Sequence, residues 1–400
     1  MKNTREPAGL LRQLTLILLT TVPFTIYAEW RSGPLGSVYI NLPAGWKVLE
    51  LKEDKVTASN KAEEAFFILR YYDGARFSER RPLDDFVRGE LGAEAGGGEA
   101  FVYAGREASF GKVQFLLDGE GQSGFLLTVE GHDIDLSAVV FTSASGEQAY
   151  RDMLISVLDS VSIGHSSIVQ PGPVSSYESP YPSERDELYS FEFEDSEVPV
   201  VMGSHELDAS QELIEREARL LSLYGGTEYA VKAWKRYYRL LYRDLYARTA
   251  PIFTSLRHHV FDGKETENEI AERLLRWVQT FEYRRIDTMS DCISPLKAAV
   301  GKVGDCDSRG LLYVILLHYF DIDAILMVSS IYAHSMAAVD IEGKGARFPL
   351  DGTEYLVAET TDDVDIGRID RSMSNTNAWI GIDFIRFSGT TIEPEGEMAE

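Results

Sequence analysis

Cysteine is scarce in this chain, with two residues among 400, so disulfide bonds cannot be its main source of stability. Positive charge is also limited: 39 basic residues stand against 64 acidic ones, giving a formal net charge of −25, and we therefore expect no nucleic-acid partner. The chain is, by contrast, rich in hydrophobic residues. Hydrophobic residues make up 44% of the sequence, enough for two or three separate cores.

The first 28 residues have the order of a secretory signal peptide. Lys2, Arg5 and Arg12 precede an apolar run at residues 14–26, and Ala28 offers a small residue for cleavage before Glu29. The run is short for a bilayer span, although an uncleaved anchor remains an alternative. We expect an exported protein, periplasmic or extracellular, that contacts a membrane only through this segment if it is not removed.

Residues 30–163 predict a β-rich accessory domain. Short alternating segments are interrupted by two helical stretches, at 82–91 and 147–160, which together indicate an α+β layer. The opening Ile40-Asn41-Leu42-Pro43-Ala44-Gly45-Trp46 and the closing helix followed by Ser160-Val161-Ser162-Ile163 resemble a Mog1/PsbP-like sandwich. That resemblance implies a binding or adaptor module, and no catalytic set is evident within it.

Two further segments connect this domain to the C-terminal one. Residues 164–203 are rich in proline, serine and acidic side chains, a composition that predicts a linker without a core. Residues 204–262 predict two helices broken at Gly225-Gly226, a helical lead-in to the domain that follows.

Cys306 stands at the predicted start of a buried helix. It lies in Gly304-Asp305-Cys306-Asp307, shortly before an apolar run at residues 311–317 that leaves no polar face. A helix N-terminus presents unpaired N–H groups and partial positive charge, which favour a thiolate and could bind an oxyanion. Cys306 is therefore a candidate nucleophile.

A base and an acid follow at the ends of predicted strands. His334 begins the second of two strands after the helix, and Glu359 ends a later strand. An imidazole can accept the thiol proton, and a carboxylate can hold that ring in one tautomer. Asp351 competes with Glu359 for the third position, but Asp351-Gly352 has the composition of a turn.

These residues lie within motifs, spread over about residues 265–370, that resemble the transglutaminase-like cysteine hydrolase superfamily. The motifs are Trp277-Val278-Gln279, Tyr283, Ser294-Pro295-Leu296, Gly304-Asp305-Cys306-Asp307, Tyr332-Ala333-His334-Ser335 and Tyr355-Leu356-Val357-Ala358-Glu359-Thr360-Thr361. The resemblance implies a papain-like catalytic domain at 263–390 with Cys306 as nucleophile, His334 as general base and acid, and Glu359 as the orienting carboxylate. The chain departs from many members, which have Asp as the third residue and Trp where Met336 stands.

Supporting residues and cofactors are less defined by the sequence. Gln279 and Asp305 are candidates for an oxyanion-binding or supporting role, beside the backbone N–H of Cys306. His258, His259 and His318 lack ligand spacing with any cysteine or carboxylate cluster, so we expect no metal and no organic cofactor. Cys292 lies fourteen positions before Cys306; we expect two free thiols, with a regulatory disulfide left open.

The sequence therefore predicts an exported α+β protein in which a sandwich domain precedes a transglutaminase-like thiol enzyme. Its expected substrate is a peptide, protein or cell-envelope amide, and the resemblance favours a peptidase or amidase over a protein cross-linker. The alternative is a catalytically silent module that keeps the fold as a scaffold for a cell-envelope partner.

Overall fold

The computed structural model describes residues 28–33, 36–73, 77, 80–131 and 134–385. The predicted signal peptide, up to residue 27, lies outside the described residues. The chain divides into two compact units, of which unit 1 comprises Met1–Tyr189, Val201–Arg248 and Ile286–Leu296, and unit 2 comprises Ser190–Val200, Thr249–Arg285 and Lys297–Glu400. Helices and strands are mixed in both units, which confirms the α+β class.

Unit 1 is built on a seven-stranded antiparallel sheet with the order β3-β4-β5-β9-β8-β7-β6. Strands β1, β2 and β10 form a separate three-stranded sheet. The elements are β1 (Ala28–Gly33), β2 (Gly36–Ile40), β3 (Lys47–Leu51), β4 (Lys55–Ser59), β5 (Ala65–Asp73), α1 (Arg80–Leu91), β6 (Glu99–Tyr103), β7 (Arg106–Leu117), β8 (Glu120–Val129), β9 (Ile134–Ser143), α2 (Glu147–Asp159) and β10 (Ser162–Ile163).

The large sheet has a helix on each face because its strands alternate apolar side chains between two cores. Phe67 of β5 lies in one core with Leu154 of α2, whereas its neighbour Ile68 lies in the other core with Leu83 of α1. Successive residues of a strand point to opposite faces, so this pattern requires cover on both sides. The N-terminal sandwich expected from the sequence is present, and both predicted helices lie in it.

Residues 164–203 are not the unstructured linker that composition predicted. They form a 3₁₀ helix (His165–Val169), a short helix α3 (Pro173–Glu178) and a hairpin of β11 (Asp186–Phe193) and β12 (Ser196–Gly203). The large hydrophobic residues buried from this stretch are Val174, Phe191, Phe193, Val198, Val200 and Met202. The buried residues of each hairpin strand recur at a spacing of two, which is the period of a strand with one buried face, so the average composition concealed a strand pattern.

The two helices predicted within 204–262 are α4 (Glu206–Ser222) and α5 (Ala230–His259). The boundary between the units falls inside α5, after Arg248. Residues 204–248 therefore belong with the sandwich rather than forming a lead-in to the C-terminal domain. The buried Arg236 and Arg243 of α5 account for this, since each donates to backbone carbonyls of α2, at Ser156 and Asp159.

Unit 2 contains a five-stranded antiparallel sheet with the order β17-β18-β16-β15-β19, and the apolar helix α8 packs against β15 and β16. Gly310 lets α8 approach closely, because a Cβ there would lie 2.9 Å from Leu326 Cδ1. The elements are α6 (Glu267–Gln279), β13 (Glu282–Tyr283), α7 (Pro295–Gly301, beginning in unit 1), β14 (Val303–Gly304), α8 (Cys306–Tyr319), β15 (Ala324–Ser329), β16 (His334–Val339), β17 (Arg347–Leu350), β18 (Thr353–Ala358) and β19 (Ile380–Ile382).

Across the described residues, no helix combines the length and the hydrophobicity that a membrane span requires.

Candidate active site

Cys306 is the first residue of α8, and the residue before it caps the helix. Asp305 has an extended backbone, and its Oδ1 accepts hydrogen bonds from the Ser308 backbone N at 2.9 Å and from Ser308 Oγ at 2.6 Å. The thiol thus lies at the positive end of the helix, among N–H groups that have no partner inside it. Cys306 is only 2% exposed. Asp305, a candidate for an oxyanion-binding or supporting role, is the cap of this helix.

His334 begins β16 and lies between the thiol and a carboxylate. Its Nε2 hydrogen-bonds with Glu359 Oε2 at 2.8 Å, and its ring is close enough to the Cys306 side chain to interact with it. Burial alone lowers the pKa of this imidazole, but the hydrogen bonds and the charges of Cys306 and Glu359 outweigh burial and raise the pKa to about 10. The ring is therefore held as an imidazolium at neutral pH. Ala333, immediately before it, has a φ of 48°, in the left-handed region.

Glu359 follows the last residue of β18 and is held at both oxygens. Oε1 accepts hydrogen bonds from the backbone N of Thr361 at 2.8 Å and from its Oγ1 at 2.6 Å, leaving Oε2 for His334. Burial raises the pKa of this carboxyl, but hydrogen bonds and charge from His334, with Thr361, lower it overall. Asp351 instead lies exposed in the turn between β17 and β18, with a φ of 49°.

Gln279 lies near the site but does not have the oxyanion-binding role that the sequence suggested. Its Nε2 donates to the backbone carbonyls of Glu359 and Val364, both at 2.8 Å. Both amide protons are thereby used, and none is left for a substrate oxygen. Gln279 therefore fixes the backbone of the segment that carries Glu359 and does not contact a substrate oxygen. The sequence identified the residue but could not show the direction of its amide.

Sequence reasoning missed an aromatic residue beside the base. The ring of Trp379, just before β19, lies 6.2 Å from that of His334 and 5.5 Å from that of Tyr332. The resemblance placed a tryptophan two residues after the histidine, where this chain has Met336, and Trp379 brings an indole to the same imidazole from a distant segment. No local spacing in the sequence signals this contact.

Two further observations concern the thiols. The possible ligand atoms of Asp305, Cys306 and Asp307 lie within 4.8 Å of one another, as sequence neighbours at a helix start, but Asp305 is engaged as the cap. Cys292 and Cys306 are both buried, and neither is in a disulfide with a described residue. Two thiols in the active protein stay a prediction.

The arrangement can carry out nucleophilic acyl chemistry. The site holds the groups needed to form a thiolate–imidazolium pair. They are the Cys306 thiol, the His334 imidazole, whose pKa is raised, and the Glu359 carboxylate hydrogen-bonded to that imidazole. The backbone N–H of Cys306, at the first position of α8, is available to stabilise an oxyanion.

Comparisons with known proteins add no family. No family model matches the chain, and no curated protein matches it. A solution structure of a cyanobacterial PsbP from Synechocystis sp. PCC 6803 is similar with a TM-score of 0.27 and 10% identity, over 32% of this chain and 86% of that chain. The crystal structure of LpqN, involved in cell envelope biogenesis of Mycobacterium tuberculosis, has a TM-score of 0.25 and 14% identity, over 33% of this chain and 86% of that chain.

A crystal structure from Bacteroides thetaiotaomicron VPI-5482 has a TM-score of 0.24 and 10% identity, over 77% of this chain and 84% of that chain. All three scores are below 0.5, so the site's function has to be argued from its own residues.

Proposed function

We propose that this protein is an exported thiol enzyme of transglutaminase-like type, which hydrolyses or transfers an acyl group held in a peptide or amide bond. The observation that carries the proposal is the position of His334, which hydrogen-bonds with Glu359 through Nε2 and interacts with the Cys306 side chain at the start of α8. A scaffold has no physical need for a buried thiol, imidazole and carboxylate in this order.

The reaction follows from these roles. The Cys306 thiolate attacks the carbonyl carbon, a C–S bond forms, and the oxyanion is stabilised by the Cys306 backbone N–H. The His334 imidazolium donates its proton to the departing amine as the C–N bond breaks. Water or an acceptor amine then gives a proton to His334 and attacks the thioester, which releases the acyl product and regenerates the thiolate. Glu359 stabilises the imidazolium throughout.

The substrate class is a peptide, protein or cell-envelope amide, reached after export. A peptidase or amidase is favoured over a cross-linking enzyme, on the resemblance described above. Export predicts that the mature chain begins at Glu29, which the intact mass of protein recovered from its native envelope measures. A retained Met1 would instead indicate an anchor.

The test is covalent trapping of Cys306. In a Cys292→Ala background, which leaves one thiol, iodoacetamide should alkylate Cys306 at pH 6 much faster than it alkylates a free cysteine, whose pKa of about 8.5 leaves it protonated. A library of electrophilic amides, read by peptide mass spectrometry, should then identify acyl groups that label Cys306. His334→Ala should lose both reactions while retaining its circular dichroism spectrum. Alkylation at the rate of a free thiol, without any amide adduct, would support the silent scaffold instead.

A further inference from the structure

Arg309 is a buried cation one turn after the nucleophile. It is 1% exposed and lies three residues beyond Cys306 on α8, a helix that is buried from Ser308 to His318. Residues three apart on a helix are neighbours, with Cβ atoms about 5–6 Å apart. The guanidinium and the thiol are near enough for their charges to interact, and both residues are almost fully buried.

The guanidinium connects three segments that carry or support the triad. Nε donates to the Gly304 carbonyl at 3.2 Å, Nη1 to the Thr360 carbonyl at 3.4 Å, and Nη2 to the Phe281 carbonyl. Gly304 is two residues before Cys306, and Thr360 directly follows Glu359. Phe281 precedes β13, whose Tyr283 pairs with Gly304. A displacement of Arg309 would therefore disturb the relative positions of nucleophile and acid.

All three acceptors are backbone carbonyls, and Arg309 makes no ion pair with a carboxylate of the described residues. Burying a cation without such a pair is costly unless nearby negative charge compensates it. The charged and titratable groups around the thiol are His334, Glu359, Asp305, Asp307, Tyr283 and Arg309. Among them, His334 and Arg309 are the cations. The Tyr283 ring covers the guanidinium, with its centroid 5.6 Å from Cζ.

We propose that Arg309 is a positioning residue of this site, which fixes the Cys306 and Glu359 segments in register and whose charge holds Cys306 as a thiolate. Moving the thiol proton to His334 creates a negative charge one helical turn from Arg309, and the attraction between them favours that transfer. This rests on the proposed function in one respect, namely that Cys306 is the nucleophile.

The test separates the charge of Arg309 from its bulk, again with Cys292→Ala as background. Arg309→Lys keeps the charge, whereas Arg309→Met and Arg309→Gln remove it, and Gln still offers hydrogen-bond donors. Alkylation of Cys306 by iodoacetamide is measured from pH 4 to 9, together with thermal melting. The neutral variants should react about tenfold more slowly at pH 6, whereas Arg309→Lys should stay within about threefold of the parent.

Arg243→Met is the matched control, because Arg243 is also buried and donates only to carbonyls and a tyrosine hydroxyl, in unit 1. It should lower the melting temperature and leave the alkylation profile unchanged, since a merely structural role does not move the profile.

Three results would overturn the proposal: neutral variants that alkylate as fast as the parent, Arg309→Lys slowed as much as the neutral variants, or Arg309→Lys slowed as much as His334→Ala. The last comparison needs the lysine variant and His334→Ala but neither neutral variant of Arg309, so it remains decisive if the neutral variants do not fold. An unmodified protein whose Cys306 is not activated at pH 6 would refute the proposed function instead, and the two failures are thereby distinguishable.

Discussion

The Nε2 atom of His334 and the Oε2 atom of Glu359 are 2.8 Å apart, which leaves Nδ1 as the ring nitrogen available to Cys306. The hydrogen bond therefore fixes which edge of the imidazole ring, the one that carries Nδ1, is turned toward the thiol. It also places the compensating negative charge on the far side of the ring, where it favours the imidazolium.

Replacing Glu359 and Asp351 in turn should show which of the two carboxylates is the third member of the triad. Glu359→Gln keeps the shape of the side chain but removes the charge that stabilises the imidazolium, so turnover should fall by about 100-fold or more. Asp351→Asn, in the exposed turn between β17 and β18, should leave turnover within about twofold. Steady-state rates on a substrate identified by trapping measure both, and the opposite order would assign the third role to Asp351.

The titration of His334 should be displaced far from that of an ordinary histidine. Its pKa is raised from 6.5 to about 10, so the folded state holds a proton that the unfolded chain loses. The contribution of this ring to the free energy of unfolding is therefore fully present below a pH of about 6.5 and is lost as the pH rises through about 10. NMR of the ring protons measures the midpoint. Cys306→Ala should lower it, because a hydrogen bond and a charge that raise the pKa are removed; a midpoint near 6.5 in the unmodified protein would contradict this.

A buried ion network in unit 1 should matter far more than an exposed pair beside it. Asp159 of α2 is 5% exposed and accepts hydrogen bonds from Arg216 and from both Ser175 N and Oγ. Asp159→Ala should destabilise unit 1 by about 3–5 kcal/mol, because the Arg216 charge loses a buried partner. Removing Asp152, which pairs with Arg219 at the surface, should cost below about 1 kcal/mol. Equal effects in denaturant titrations would argue against the network.

The hairpin within the expected linker should behave as core. Phe193 is fully buried, with its ring centroid 5.7 Å from Phe261 and 5.3 Å from Trp277. Phe193→Ala should destabilise unit 2 by about 3–5 kcal/mol through the lost burial and the cavity left behind. Leu188→Ala, on the same hairpin but 73% exposed, is the control and should have little effect. A linker would tolerate both changes equally, and thermal melting distinguishes these cases.

The sequence predicted the parts of unit 2 that depend on local pattern. A continuous apolar run beginning after Cys306 predicts α8, and His334 and Glu359 lie at strand ends as expected, because hydrophobic periodicity and turn residues are encoded over a few positions. The same reasoning failed at residues 164–203. There Phe191 and Phe193 alternate with acidic side chains, which is a strand pattern. The average composition of the whole stretch is typical of disorder and concealed that pattern.

Contacts between distant segments could not be predicted from the sequence. Neither the direction of the Gln279 amide nor the approach of Trp379 to His334 has a signature in residue spacing. Arg309 did leave a signal, since an arginine beside the apolar run of a buried helix must find buried partners. That signal is visible only when the exceptions to an apolar pattern are considered along with the pattern.

The 2% exposure of Cys306 has a consequence for how fast reagents in solution reach the sulfur. Thiolates are the form that peroxide oxidises, first reversibly to sulfenic acid and then irreversibly, at a rate that depends on access as well as ionisation. That cover slows alkylation as well as oxidation, so a rate of alkylation at pH 6 above that of free cysteine would report ionisation of the thiol rather than access to it. In the exported setting proposed above, burial of the sulfur would slow the loss of an activated thiol to oxidants.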